Sequence, residues 1–384
     1  MYFIDMKSID SRINTIKVPV YNSMVERIRQ LITAGQVQPG GFLNTEYDLA
    51  ETEGISRNSV RRGVDLLISE GLVERRPSKG IFVREKHVAS LFVQVLVPDI
   101  CFDQCAQIVR GAQTAGRSRG VVTQIYDAHG SAEQTIEFIR RLPESSCDGA
   151  IITSLHFANF AESIYELKRQ RYPFVLVDDR LRDIDVPSVV ADNYGGGYAV
   201  GQRLIELGHT QIGFIGYLNA QTVYQRLEGL RDAMANAGLL LEPSHIVDLQ
   251  LDNLLCKDFS DKVEQATCNL MSLSNRPSAL FYHDDGAAKY GYRTLSRMGL
   301  SIPDDVSVVG FDDNPLCQWL TPQLSTVKQP SIEMGHAAME MLLQQIAHPA
   351  GKSEHQVIKT KWIERGSSAM LERNFAKQKI LCIR

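Results

Sequence analysis

No stretch of this 384-residue chain approaches eighteen consecutive apolar residues, so no helix able to span a bilayer is expected. Cysteine is present but unorganised. Cys101, Cys105, Cys147, Cys256, Cys268, Cys317 and Cys382 are odd in number, include no C-x-x-C pair and show no zinc-ligand spacing. That argues against a disulfide framework or a metal staple and predicts reduced thiols in a cytoplasmic protein. The opening residues, MYFIDMKSIDSRINTIK, mix acids, bases and polar groups without an apolar run, so no secretory signal is expected there. Catalytic signatures are missing too: no nucleophile elbow, no Walker loop, no H-E-x-x-H. The run NYGGGY (193–198) lacks the G-x-G-x-x-G frame and reads as a loop and helix start. The composition is that of an ordinary globular protein. The length suggests two or three domains with a core large enough to hold itself together.

Charge is present and unevenly placed. The chain carries a formal −4, yet residues 17–86 hold eleven Lys/Arg against nine Asp/Glu, which leaves the remainder at −6. A mildly basic head on an acidic body points to an anionic partner for the head. In the head, Val25, Ile28, Leu31 and Ile32 fall on one face of a helix over 22–34, followed by Gly35. Pro39-Gly40-Gly41 makes a turn. Thr45 can cap a short second helix that ends at Gly54. Ser56 can cap a third, SRNSVRRGVDLLISE, ending at Gly71. On that helix Val60, Val64 and Leu67 line one face, and Asn58, Arg61, Arg62 and Asp65 the other, with Arg57 in the first turn. Two short strands, 72–75 and 80–84, flank a Pro77–Gly80 turn and form a hairpin.

Helix, helix, turn, helix, hairpin is the order of a winged helix-turn-helix, whose third helix can enter a DNA major groove. There Arg57 and Arg61 can fork onto guanine, Asn58 can pair with adenine, and Ser59 suits a phosphate. Lys79 and Gly80 at the wing tip can reach a minor groove or the backbone. The alternative is that Arg61 and Arg62 form a solvated helix face beside Asp65. The stretch from VPVYNSMVERIRQLITAGQVQPGGFL through the wing resembles the GntR family of bacterial transcription regulators. The landmarks are the Gly-x-x-x-Pro-Gly turn, Ser56-Arg57, Val60-Arg61, Glu70-Gly71-Leu72 and the wing. The resemblance implies a DNA-facing set of Thr45, Tyr47, Arg57, Asn58, Ser59, Arg61, Lys79 and Gly80. Tyr47 departs from the pattern: many members carry an arginine there, so only a phosphate contact through its hydroxyl is expected.

From residue 91 the texture changes to apolar, β-branched runs alternating with helical stretches: LFVQVLVPD, GVVTQIYDA, DGAIITS, PFVLVDD, QIGFIGY, ALFYHDD and VSVVGFDD. Such alternation predicts an α/β, doubly wound architecture with mostly parallel sheets. Several strands end in carboxylates, namely Asp99, Asp178, Asp284 and Asp312. Ligands of open α/β sheets sit beyond the carboxyl ends of strands, so these acids point at a cleft.

Within this body, DNYGGGYAVGQRLIELGHTQIGFIG, YQRLEGLRDAM, MGLSIPDDVSVVGFDDNP, TPQLSTVKQP and IERGSS resemble the effector domains of the lactose-repressor/galactose-repressor family. Those domains share the two-lobed, periplasmic-binding-protein type I fold. The resemblance implies an effector clamped by Arg226 through a forked hydrogen bond, with Asp312 and Asp284 accepting from its hydroxyls. It adds Phe102, Thr153, Asp178 and Asp192 as further effector-binding positions. For each aspartate a helix cap or internal ion pair is the competing role. Cys101, Phe102, His156 and Phe157 can form a partly apolar lip. A GntR-type head on such a body resembles the arabinose-repressor group. It implies a regulator of carbohydrate genes, most often a repressor, that acts as a homodimer on double-stranded operator DNA and answers to a sugar. A purine or sugar acid is an alternative effector, and a carbohydrate-acting enzyme or a transport receptor an alternative function. No cofactor, metal or membrane partner is expected. The expected layout is a head over 17–86, a linker over 87–90, a body over 91–370 with lobe crossovers near 192, 312 and 326, and a tail over 371–384 of unassigned role.

Overall fold

A computed structural model describes residues 21–70, 72–77, 79–83, 91–153, 160–181, 184–250, 258–349 and 353–371. The linker at 87–90, Gly71, His156, Phe157 and all but the first residue of the tail lie outside the described residues. The chain divides into two compact units, Met1–Ser90 and Leu91–Arg384. No helix among the described residues is long and apolar enough to cross a membrane.

The first unit runs α1 (Asn22–Thr33), β1 (Phe42–Asn44), α2 (Glu46–Glu53), α3 (Arg57–Ser69), β2 (Val73–Arg76) and β3 (Gly80–Val83). The Thr45 hydroxyl accepts from the Asp48 N–H at 3.2 Å and that of Ser56 from the Ser59 N–H at 3.1 Å, so both helices start where side-chain caps begin them. Gly54 ends α2 at φ +64°. Val25, Ile28, Leu49, Val60, Val64 and Leu67 form the core with Val73 and Ile81. The hairpin lies where the sequence puts it, but the sheet has a third strand: β1 pairs antiparallel with β3. Three residues are too few to show a period of two, which is why pattern reading passes over β1.

The second unit has two lobes. The first contains β4 (Phe92–Val97), α4 (Asp103–Arg117), β5 (Val122–Asp127), α5 (Ala132–Arg141), β6 (Gly149–Thr153), α6 (Ala161–Arg169), β7 (Phe174–Val177) and β8 (Ser188–Ala191). The second contains α7 (Asn193–Glu206), β9 (Ile212–Gly216), α8 (Gln221–Asn236), β10 (Ile246–Asp248), α9 (Phe259–Met271), β11 (Ala279–Tyr282), α10 (Asp285–Arg297), β12 (Ser307–Val309) and β13 (Thr326–Lys328). The chain then returns through α11 (Ser331–Ala347) and β14 (His355–Ile358) to the first lobe, and β15 (Lys361–Ile363) pairs with β13 in the second.

The first sheet is parallel in the order β14-β8-β7-β6-β4-β5, the second parallel in the order β10-β9-β11-β12. Central strands such as FVLV are apolar throughout because both faces are covered. Val93, Val95 and Val97 pack with Ile108 of α4 and Met334 of α11, while Leu96, Ile152 and Leu176 pack with Ile139 of α5 and Ile164 of α6. The crossovers fall at 192, at 329–330 and at 359–360. The first agrees with the sequence reading. Residue 312 is no crossover, because Asp312 bridges to Lys328 within the second lobe. The crossover expected near 326 comes after β13.

The glycines of NYGGGY lie in the first turn of α7, the helix start read from the sequence, and they set its distance from α8. A Cβ on Gly197 would lie 2.0 Å from the Arg226 carbonyl oxygen, and one on Gly229 2.1 Å from that of Tyr194. The two helices touch backbone to backbone. The first lobe repeats the device: a Cβ on Gly111 would lie 2.0 Å from the Ile332 carbonyl oxygen and one on Gly335 2.0 Å from that of Ile108, joining α4 to α11. Gly197→Ala is expected to force α8 away and destabilise the body by about 1–3 kcal/mol. Urea unfolding of the full chain checks this, and a midpoint equal to the wild type's would contradict the packing argument.

Candidate functional site

In the first unit the exposed surface of α3 carries Arg57, Asn58, Arg61 and Arg62. Not all of the arginines near it are available. Arg75 donates to Glu46 at 2.9 Å, to Asp65 at 2.6 Å and to the Arg61 carbonyl at 3.3 Å. Arg76 pairs with Glu74 at 2.7 Å and lies 4.5 Å from the Phe82 ring centre. Both are therefore engaged inside the unit, and neither belongs to the DNA-facing set that the resemblance implies. Arg61 keeps only a 3.3 Å contact to Glu46, and Arg57 and Arg62 have no ion pair among the described residues. Tyr47 is 64% exposed, so its hydroxyl is accessible. The Thr45 hydroxyl caps α2 and donates to Asp48 at 2.6 Å, and Ser59 shares a 2.9 Å contact with Ser56. Lys79 is exposed. Gly80 has a structural requirement of its own: at φ +108° a Cβ there would meet the Phe42 ring at 2.7 Å.

In the second unit, strand order reverses beside β4 in the first lobe and beside β9 in the second. A cleft opens beyond the carboxyl ends of both sheets. Its volume is about 300 Å³, at the small end for small-molecule sites. Phe102, Asp178, Arg226, Asp284 and Asp312 line it together, as the sequence reading anticipates. Thr153 and Asp192 do not. Thr153 is buried with its hydroxyl donating to the Leu96 carbonyl at 3.0 Å, and Asp192 caps α7 by accepting from the Gly195 N–H at 2.7 Å. Asp99 is likewise turned to local use, accepting from the Cys101 N–H at 2.8 Å. Asp284 does both jobs: one oxygen caps α10 through the Ala287 N–H at 2.6 Å, and the residue still faces the cleft.

Arg226 is 5% exposed and organises the second lobe's wall. Its Nε donates to Asn193 at 2.9 Å, its Nη1 donates to the His283 carbonyl, and its guanidinium carbon lies 3.8 Å from the Phe311 ring centre. Nη2 lies 3.9 Å from Asp312 Oδ1, beyond hydrogen-bond reach. A fork open to a ligand is thus reduced to one arm, because the fold uses the others.

The sequence matches the family described as periplasmic binding protein-like domain over residues 202–368. It matches the bacterial regulatory proteins, gntR family, over 20–83. It is 30% identical over 288 residues to the HTH-type transcriptional repressor CytR of Escherichia coli (strain K12), covering 74% of this chain and 82% of that protein. The arabinose metabolism transcriptional repressor of Geobacillus stearothermophilus is 28% identical over 342 residues, covering 86% and 92%. A crystal structure of a LacI family transcriptional regulator from Enterococcus faecium with bound ribose superposes with a TM-score of 0.62 at 28% identity, covering 73% of this chain and 100% of that one. The chain belongs to this family of repressors: a LacI-type effector domain behind a GntR-type head.

In this LacI-type domain the cleft holds residues that the sequence reading missed. Phe259 and Tyr290 line it with their rings edge to face, 5.9 Å between centres, and Phe259 meets His283 in the same way at 6.2 Å. Phe259 opens α9 and Tyr290 lies on α10, where each reads in sequence as a core aromatic. Gln104 also lines the cleft, and its Nε2 is buried without a hydrogen-bond partner among the described residues. A buried amide in that state is costly unless something else accepts from it. Asp103, Asp178, Asp284 and Asp312 face only Arg226 and Lys289 as cations in the lining. Burial pushes the Asp312 carboxyl well above the usual carboxylate range; Arg226 opposes that shift, and Asp284 and Asp285 add to it. The cleft thus offers carboxyl groups in excess of cations, amide and hydroxyl groups, and flat ring faces. Arg226→Met is expected to cost the ligand-free repressor about 1–3 kcal/mol, because the Asn193 and His283 oxygens lose their donors. Urea unfolding measures it, and an unchanged stability would show that those contacts do not matter to the fold.

Proposed function

We propose that this protein is a ligand-responsive transcriptional repressor of carbohydrate-utilisation genes, acting in the cytoplasm as a homodimer. The observation that carries the reading is that one chain couples a GntR-type winged head to a LacI-type cleft rich in carboxylates and aromatic faces. Carboxylates accept from neighbouring hydroxyls and aromatic rings cover the apolar face of a sugar, so a pentose-sized polyol suits the cleft. The relatives' names point the same way, since they include repressors of arabinose metabolism and a regulator crystallised with ribose. The role is a regulator's and not an enzyme's. Effector binding would act by favouring one arrangement of the two lobes, and it can shift that equilibrium only by its difference in affinity for the two states. The lining sets four aspartates against Arg226 and Lys289, a poor match for phosphate and carboxylate groups, so the effector is read as an unphosphorylated sugar rather than a sugar phosphate or sugar acid. A purine-type ligand is the second reading, favoured by the ring faces of Phe259 and Tyr290.

A thermal-shift screen of the full chain tests the effector. D-ribose or L-arabinose is expected to stabilise it, by about 2.7 kcal/mol at a hundred times Kd, and D-ribose 5-phosphate to have little effect. A shift from the phosphate ester as large as from the free sugar would refute the charge argument, and one from nucleobases alone would favour the second reading. For the head, Arg57→Ala is expected to weaken operator binding by about 1–3 kcal/mol and leave effector affinity and stability unchanged. Unaltered operator affinity in a mobility-shift titration would remove Arg57 from the interface.

A further inference from the structure

Asp284 and Asp312 face the cleft; Asp285 does not, and yet it is the more heavily bonded carboxylate. It is the first residue of α10 and fully buried. Its Oδ1 accepts from the Thr326 hydroxyl of β13 at 2.6 Å, and its Oδ2 accepts from the Asn314 N–H at 2.8 Å. Its own N–H donates to the Phe311 carbonyl at 2.9 Å. A Cβ on Gly310 would lie 2.1 Å from Oδ1, so the chain at the end of β12 comes this close only because that residue is glycine.

The segment that Asp285 holds is unusual. Asp312 and Asp313 have φ of 116° and 60°, in the left-handed region that side-chain-bearing residues occupy only where the surroundings fix them. Asn314, whose N–H is bonded to Asp285, follows directly. Asp312 is tied in turn to the strand that leads to the second crossover. Its N–H donates to the Val327 carbonyl at 2.7 Å, and Gln329 Nε2 donates to its Oδ1 at 2.6 Å. A single carboxylate therefore links the helix start bearing Asp284, the loop bearing Asp312, and the strand entering the crossover at 329–330.

We propose that Asp285 is a positioning residue of the effector cleft, holding the Asp284 and Asp312 carboxylates in register and fastening both to the crossover strand. The proposal rests on the reading of the cleft as the effector site. A carboxylate suits the place because its two oxygens accept from donors on two different segments, one of them a backbone N–H, which an apolar side chain cannot do and a hydroxyl's single oxygen does not span. Burial pushes the Asp285 carboxyl up to about 7; the bonds from Thr326, Asn314 and Cys317 oppose the shift and Asp284 adds to it. The titratable groups around it are Asp284 at the cap of its own helix, Asp312 in the loop after β12, Cys317 in the turn that follows, and Tyr292 about two helical turns along α10. A carboxyl raised in this way stabilises the fold fully below the ordinary carboxylate range and loses that contribution as the pH climbs through about 7.

Hydrogen exchange and thermal shift on the full chain test this, with D-ribose and L-arabinose as probes. In Asp285→Ala, exchange over 310–318 and 326–329 is expected to quicken by about tenfold while β4 and β7 keep wild-type protection. Affinity for a responding pentose is expected to fall by about tenfold as well. Asp285→Asn retains one acceptor, so it should restore part of the protection. It should also flatten the fall in thermal midpoint expected of the wild type as the pH rises from about 4 to about 7. Wild-type exchange over 310–318 in the alanine variant overturns the proposal, as does a loss spread evenly over both lobes. Failure of both pentoses to shift the wild type counts against the effector reading and leaves the exchange experiment to decide this one.

Discussion

Two pairs of helices in the effector domain meet backbone to backbone at glycine, and the cleft depends on them. In each pair one helix begins at a lobe crossover: α7 after residue 192 and α11 after residue 330. Its partner carries or begins at cleft residues: α8 holds Arg226, and α4 starts beside Phe102. With a carbonyl oxygen lying where a Cβ would be, neither helix has room to slide against the other. Each crossover helix is thus packed directly against a helix of the cleft wall.

Within that frame the site residues are divided between holding the structure and facing a ligand. Arg226 gives two of its donor positions to Asn193 and His283 and its flat face to Phe311, which fixes the guanidinium but reduces what it can offer. Asp284 gives one oxygen to a helix start, and Asp285 gives both to the loops around it. The outcome is a cleft lined by more carboxyl groups than cations, with ring faces beside them, a chemistry that matches a hydroxyl-rich ligand. The head follows the same economy. Arg75 and Arg76 are tied to Glu46, Asp65 and Glu74, and this internal pairing is what leaves Arg57, Arg61 and Arg62 as the exposed cations of α3.

Much of this was legible in the sequence. The caps Thr45 and Ser56, the hydrophobic spacing of α1 and α3, and the apolar strands of both lobes are local signals, and local signals survive in a linear reading. So does the reason that acids at strand ends gather: parallel strands all finish on one side of a sheet. Three-residue strands such as β1 and β13 left no periodic trace. Phe259, Tyr290 and Gln104 had no distinguishing neighbours, and a ligand-facing aromatic is spelled the same as a core one.

The sequence by itself determined the two-unit organisation, the order of elements and the presence of a cleft, because propensity, capping and alternation act over a few residues at a time. Tertiary structure alone decided which identical side chains face the cleft and which hold it. Asp178 and Asp312 face it while Asp192 caps α7 and Thr153 bonds the Leu96 carbonyl. Arg57 has no ion pair among the described residues while Arg75 is consumed. The physical reason is that a charged or hydroxyl group goes to whatever donor or acceptor the fold brings within about 3 Å, and that partner is usually far away along the chain.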